Sequence, residues 1–216
     1  MWAGITSITA RKRNAKVIGL DLTPKLLTRA RQEAAVAEAD GIEFKEGDAE
    51  DLPFENDSFD VVLSSFGHMF APRQEVCTSE LVRVTKVGGR IAFATWPPEL
   101  AVGNEFTTIS KYIQQPDNAP PSPLLWGDPD IIKERLGTDI RELHFERGFV
   151  NIPIMSLNHY WQFMSSKFGP LIDAVQKVRD DRKIDSLKND YIRTLSHYYT
   201  DNILRLDYLV TVAVKA

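Results

Sequence analysis

The sequence has one cysteine and no long apolar run, and these two absences exclude several classes of protein. Cys77 has no second cysteine with which to form an internal disulfide, which is typical of proteins in a reducing compartment. No stretch is apolar over the ~20 residues that a transmembrane helix requires, and the N-terminus lacks the apolar centre of a signal peptide. We therefore expect a cytoplasmic protein without a membrane partner.

The sequence also lacks an excess of basic charge and lacks several catalytic motifs. A formal net charge of -4 and a pI of about 5.6 give no reason to expect a nucleic-acid partner. No metal site is expected, because the histidines show no metal-ligand spacing. Neither a G-x-S-x-G turn nor a Walker loop is present, which argues against hydrolases and nucleoside triphosphatases built on those motifs.

Strands and helices alternate through the first half of the chain. With 216 residues, of which 43% are hydrophobic, the chain suits one domain with a sizeable core. Strands are predicted at residues 17–21, 42–49, 59–66 and 90–96, and helices from Thr23-Pro24 to residue 40 and over 73–85. This alternation predicts a parallel sheet with helices on both faces. The continuous apolar run FDVVLSSF, residues 59–66, predicts a strand that is covered on both faces.

The second half departs from this alternation. The proline-rich residues 116–130 predict a loop or lid, followed by a helix from Pro129 to Leu136 that Gly137 ends. Residues 140–152 alternate as a strand or hairpin does. Helical patterns follow, and one of them has an apolar stripe of Ile184, Leu187, Tyr191, Leu195 and Tyr198. Residues 204–214 predict a long last strand.

Polar side chains stand at the ends of three of the predicted strands. Asp21 ends the apolar run VIGLD, Asp48 lies in EGDAEDLPF, and Ser65 lies in SSFGHMF. Ligands of open α/β sheets bind at the carboxyl ends of the strands, where a carboxylate can accept hydrogen bonds from a ribose. Each residue also has a structural interpretation: a helix cap for Asp21, a turn for Asp48 and a strand-end hydroxyl for Ser65.

Three segments resemble a known family: VIGLDLTPKLLTRAR, EFKEGDAEDLPFENDSFDVVLSSFGHMF and LVRVTKVGGRIAFATW. They are similar to class I S-adenosylmethionine-dependent methyltransferases, and most to the branch of the ubiquinone and menaquinone C-methylases. The resemblance covers roughly residues 3–98. It implies a doubly wound, Rossmann-like α/β fold with a mostly parallel sheet, an antiparallel last strand and a C-terminal helical or lid elaboration.

The resemblance also implies a division of the chain and a cofactor site. Residues 1–98 would form the S-adenosyl-L-methionine-binding core, 99–200 the acceptor-binding lid and helices with a strand near 140–152, and 201–216 the last strand of the core sheet. Asp21 and Leu22 would bind the ribose end, Asp48 and Ala49 the adenine, and Ser65 the wall of the cofactor site. Gly4 matches the last glycine of the family's glycine-rich loop.

The family's first strand and most of its loop, D/E-x-G-x-G-x-G, have no counterpart in this sequence, which offers MWAGITS at that place. That strand normally lies between the strands that end at Asp21 and Ser65. Its loss would open two long strand edges in the middle of the sheet, so we do not expect the slot to stay empty. A start codon placed too far downstream, a strand from a partner chain in a homodimer or strand exchange, and another segment of this chain are the alternatives.

The predicted function is methyl transfer to a small, apolar or aromatic molecule. His68, which follows the fourth strand, is the one histidine near the expected methyl position; it is a candidate general base or a histidine packed on the domain wall. Trp126, Tyr160, Trp161 and Phe163 are candidates for an acceptor pocket or for core packing. The alternative function is a degenerate, non-catalytic relative that acts as an interaction module.

Overall fold

The computed structural model describes residues 4–113, 118–178 and 180–216, which form two compact units. Unit 1 contains residues 4–94, Lys133–His144 and Thr211–Ala216. Unit 2 contains Thr95–Ile132 and Phe145–Val210. Among the described residues no helix is both long and apolar enough to cross a bilayer.

The helices and strands of the described residues alternate early and then give way to a run of helices. The helices are α1 (Ile5–Lys12), α2 (Pro24–Val36), α3 (Gln74–Val84), α4 (Ala101–Ser110), α5 (Pro129–Leu136), α6 (Leu157–Lys167), α7 (Gly169–Lys177) and α8 (Asp181–Ser196). The strands are β1 (Ile18–Asp21), β2 (Glu43–Glu46), β3 (Phe59–Ser65), β4 (Thr85–Thr95), β5 (Ile140–Pro153), β6 (Tyr199–Thr200) and β7 (Ile203–Lys215).

The strands form two sheets. β1 and β2 make a parallel pair in which Asp21 lies opposite Glu46. The second sheet has the order β3-β4-β7-β5, with β3 and β4 parallel and β6 pairing antiparallel to β7. The predicted α/β class, with mostly parallel strands and an antiparallel last strand, is confirmed.

The local sequence explains most of the boundaries. Pro24 opens α2, and Leu27, Ala30 and Ala34 form its buried face. α2 ends at Val36, earlier than the predicted end at residue 40. Residues 140–152 form one strand and no hairpin.

β3 is the main correction to the expected packing. The prediction that it is covered on both faces is wrong, because Val61 and Leu63 are 45% and 46% exposed. Within the described residues β3 pairs with β4 alone and β1 with β2 alone. A strand with one neighbour has side chains flanking it on one side only, so the exposed face follows from the open edge.

Helix α1 contacts elements of both strand pairs. It packs against β3 and α2. It also covers Gly19 of β1, where an added Cβ would lie 2.8 Å from the Ser7 hydroxyl oxygen. The sequence led us to expect that this slot would not stay empty, but among the described residues β1 and β3 each keep one unpaired edge.

The core of unit 2 is built from helices α4, α6, α7 and α8. Leu187, Tyr191 and Leu195 of α8 are fully buried, which confirms the predicted apolar stripe of that helix. The predicted lid lies partly outside the described residues. Its described part includes a short 3-10 helix, Pro123–Gly127, in which Trp126 is fully buried and its carbonyl accepts a hydrogen bond from Thr95 Oγ1 at 2.7 Å.

Candidate functional site at the strand ends of unit 1

The ends of β1 and β2 bring the two predicted carboxylates to one edge of a sheet. Asp21 is the last residue of β1, and its carbonyl accepts a hydrogen bond from Gly47 N at 3.2 Å, directly after β2. Asp48 follows Gly47. Because parallel strands end at the same edge, the loops that carry Asp21 and Asp48 begin side by side.

The two carboxylates are held in the same way. Asp21 Oδ1 accepts a hydrogen bond from Thr23 N at 2.8 Å, and Asp48 Oδ1 accepts one from Glu50 N at 2.9 Å. In each case the backbone donor lies two residues ahead, so the local turn fixes the carboxylate. Among the described residues the second oxygen of neither carboxylate has a hydrogen-bond partner. Each carboxylate thus has one oxygen that can accept a hydrogen bond from a ligand, as the hydroxyl and amino groups of an adenosine would require.

These contacts also refine the helix-cap interpretation of Asp21. The side chain of Thr23, the residue before α2, makes no capping hydrogen bond, while the Asp21 carboxylate accepts one from the Thr23 amide. Asp21 therefore serves the start of α2 with one oxygen. This contact does not occupy the other oxygen, so the structural and the binding interpretations are compatible.

Gly4 begins α1 in a backbone conformation that favours glycine. Its φ is 76°, and an added Cβ would lie 2.8 Å from the Ala30 Cβ. A side chain here would be strained twice, by the left-handed conformation and by contact with α2. The chain therefore approaches α2 closely at Gly4, the residue that the sequence resemblance assigns to the glycine-rich loop.

Ser65 and His68 lie at and after the end of β3. Ser65 is exposed, whereas His68 is only 4% exposed and its Nδ1 lies 2.9 Å from Ser64 Oγ. The His68 ring packs 4.6 Å from the ring of Phe93, centroid to centroid. Burial, and then the charge of Arg135, lower the pKa of His68 to about 3. At neutral pH this imidazole is uncharged and weakly basic, which favours the packing interpretation over that of a general base.

The candidate acceptor-pocket residues lie in unit 2. Tyr160 and Trp161 are buried against Tyr191, at ring-centroid distances of 6.5 Å and 5.3 Å, so both belong to the helical core. Phe163 is 50% exposed. The structure thus gives Tyr160 and Trp161 the packing role that the sequence had left as an alternative.

Other chemistries find no support in the described part of the chain. No group of His, Cys, Asp or Glu residues there is arranged to hold a metal ion. Burial raises the pKa of the Cys77 thiol to about 12, so this cysteine is not a nucleophile at neutral pH. A groove of about 210 Å³ between α2 and β2 includes neither Asp21 nor Asp48.

The sequence analysis missed two ion pairs behind the Asp48 loop. Glu50 is 7% exposed and pairs with Arg73, whose Nε lies 2.6 Å from Glu50 Oε2. Glu80 pairs with Arg83 at 2.6 Å, one helical turn away on α3. The Glu-x-x-Arg spacing in ELVR was the one available signal, and it predicts a helical ion pair without saying what that pair contacts.

Comparisons with known proteins agree with this geometry. The family described as Methyltransferase domain matches residues 3–93. A protein of Mycobacterium tuberculosis (strain ATCC 25618 / H37Rv) that carries no functional name is 31% identical over 99% of this chain and 78% of its own length. Two solved structures share the fold at low sequence identity. The YcgJ protein of Bacillus subtilis has a TM-score of 0.60 at 19% identity, covering 99% of this chain and 88% of that one. A Haemonchus contortus N-methyltransferase in complex with phosphomonomethylethanolamine and S-adenosylhomocysteine has a TM-score of 0.56 at 16% identity, covering 97% and 46%.

Proposed function

The chain belongs to the S-adenosylmethionine-dependent methyltransferases, and we propose that it methylates a small, apolar or aromatic acceptor in the cytoplasm. Its cofactor is S-adenosyl-L-methionine. The observation that carries the proposal is the matched pair of carboxylates at Asp21 and Asp48. The placement within the ubiquinone and menaquinone branch stays a prediction of the sequence.

We propose that the strand ends divide the cofactor between them. Asp21 and Leu22 bind the ribose, Asp48 and Ala49 the adenine, Ser65 lines the wall, and Gly4 lets the chain approach the methionine end. When bound, the cofactor supplies a methyl group on a positively charged sulfur, which leaves as a neutral thioether. The protein's part is to align the acceptor with that methyl group and to exclude water.

We propose that His68 has a structural role and no catalytic one. Its buried, neutral imidazole contacts Ser64 and Phe93 and thereby fixes the turn that follows Ser65. We do not assign a general base, because methyl transfer to an unprotonated amine or a thiolate can proceed with positioning alone.

The binding test is titration calorimetry with S-adenosylhomocysteine, comparing wild type, D21A and D128A. Asp128 is the matched control, because its Oδ1 accepts a hydrogen bond from Asp130 N at 2.9 Å directly before a helix that Pro129 opens. Loss of hydrogen bonds to a charged group should raise the Kd of D21A about 10- to 100-fold. D128A should bind as wild type does. Equal Kd values for D21A and wild type would refute the ribose assignment.

One observation favours a second candidate, an interaction module that associates through strand pairing. β3 exposes Val61 and Leu63 beside its open edge. Light scattering on wild type and L63K tests it, since exposed apolar strand edges associate and an added lysine opposes pairing. A wild-type dimer that L63K converts to a monomer would support homodimerisation or strand exchange. Two monomeric proteins would refute it.

A further inference from the structure

A clamp on helix α3 holds both backbone groups of Leu52, in the loop that carries Asp48. Glu80 Oε2 accepts a hydrogen bond from Leu52 N at 2.7 Å. Arg83 Nη2 donates a hydrogen bond to Leu52 O at 2.9 Å. The backbone of this residue is therefore fixed in position and orientation by two side chains from a helix that begins more than twenty residues later.

Arg83 uses its whole guanidinium group in this clamp. Nε and Nη2 donate to the two carboxylate oxygens of Glu80 at 2.6 Å and 2.7 Å. Nη1 donates to Phe54 O at 2.6 Å and to Asn56 Oδ1 at 3.1 Å. With the bond to Leu52 O, each of the five N–H donors has an acceptor. Hydrogen bonding to Glu80 raises the pKa of Arg83, and hydrogen bonding to Arg83 lowers the pKa of Glu80, so the pair stays charged at neutral pH.

A second tie holds the same loop two residues earlier. The carboxylate of the buried Glu50 accepts hydrogen bonds from the backbone N–H and the Nε of Arg73. Glu50 in turn donates its own amide to Asp48 Oδ1 at 2.9 Å. The loop is thus fixed at residues 50 and 52, immediately after the carboxylate and the alanine assigned to the adenine.

We infer that Arg83 and Glu80 are positioning residues for the adenine end of the cofactor, acting through the loop of residues 48–56. The inference rests on the proposed function. A loop that is ordered before binding loses little conformational entropy when the ligand arrives, so its affinity is higher. Lysine cannot replace Arg83, because an ammonium group has three donors and no planar fork with which to reach Glu80, Leu52 and Phe54 together.

The test compares R83K with K86A, a control that breaks the exposed ion pair between Lys86 and Asp60. In R83K the Kd for S-adenosylhomocysteine should rise about tenfold, and K86A should bind as wild type does. Hydrogen exchange of the cofactor-free protein should show faster exchange of the Leu52 amide in R83K, with α2 amides unchanged. An unchanged Leu52 exchange rate, or faster exchange with an unchanged Kd, would overturn the inference.

A double-mutant cycle separates positioning from general destabilisation. If Arg83 acts through the Asp48 loop, the effects of R83K and D48A on the Kd should be less than additive, whereas R83K and D21A should add. Additive effects with D48A would overturn the inference. A wild-type chain that fails to bind S-adenosylhomocysteine would refute the proposed function and the cofactor role together. The exchange measurement would then still decide whether the clamp orders the loop.

Discussion

The helical core of unit 2 and the β1–β2 layer of unit 1 differ in the size of the side chains that they bury. The helical core packs large residues, among them Trp161, Leu187 and Tyr191. The buried cluster beside β1 and β2 consists of Ile8, Ala34 and Ala39, with Phe44 partly buried against it. Burial of apolar area is the main favourable term in folding, so the thinner layer has less of it.

If the proposed cofactor site is right, ligand binding and the largest core lie in different parts of the molecule. The layer with the smaller core carries the Asp21 and Asp48 loops, and side chains of α3 hydrogen-bond to the backbone of the Asp48 loop. Regions with few buried apolar contacts open at lower free energy than large cores do. We therefore expect a ligand at the strand ends to stabilise this layer most.

The largest expected effect comes from the core of unit 2. Leu187 is fully buried, and L187A should lower the free energy of unfolding by about 2–5 kcal/mol through lost burial and a cavity. Ile8 is 6% exposed in the thinner layer, where I8A should cost less because the surroundings can collapse more easily. V36A, at a site that is 82% exposed, is the control. Urea unfolding measures the free energy of unfolding of the three variants. An equal loss in I8A and L187A would contradict the proposed difference between the two cores.

Glu105 makes the stability of the helical core depend on pH. Burial raises its pKa from 4.5 to about 8. The protonated Glu105 therefore makes its full contribution to the free energy of unfolding below pH 4.5. This contribution is lost as the pH rises to about 8, because the unfolded chain releases the proton at a lower pH than the folded chain does. Between pH 5 and pH 8 the free energy of unfolding of the wild type should fall by about 2–4 kcal/mol more than that of E105Q does. Urea midpoints across this range test it, and parallel pH profiles for the two proteins would contradict it.

Gly4 and Gly137 offer a matched pair in unit 1. Both have positive φ, 76° and 52°, but an added Cβ has no atom within 4 Å at Gly137 and lies 2.8 Å from Ala30 Cβ at Gly4. G137A should cost about 1–2 kcal/mol for the left-handed conformation alone. G4A should cost about 1–3 kcal/mol more because of overpacking. Thermal unfolding gives both values, and equal costs would show that the approach of Gly4 to α2 is unimportant.

His68 should have the opposite pH dependence to Glu105. Burial lowers its pKa from 6.5 to about 3, so its contribution is complete above pH 6.5 and is lost as the pH falls. Between pH 7 and 5 wild type should lose about 2 kcal/mol more than H68Q. Urea unfolding at the two pH values measures this difference. If the wild type loses no more stability than H68Q does, the pKa of His68 is not lowered in the folded protein, which would contradict the prediction.

The features that the sequence predicted are the local ones. The apolar run before Asp21, Pro24 at the start of α2 and the stripe around Leu187 each follow from neighbours within a few residues. The exposure of β3 depends on which strand lies beside it, and an apolar run does not carry that information. The Arg83 clamp joins side chains to backbone groups 29 and 31 residues away, so no local pattern in the sequence could have shown it.

A structure determined with bound S-adenosylhomocysteine would test the account most directly. We expect the ribose hydroxyls within hydrogen-bonding distance of the Asp21 carboxylate and the adenine beside Asp48 and Ala49, with Leu52 held by Glu80 and Arg83 as in the protein without ligand. A nucleoside bound elsewhere, or one that leaves both carboxylates facing solvent, would contradict it.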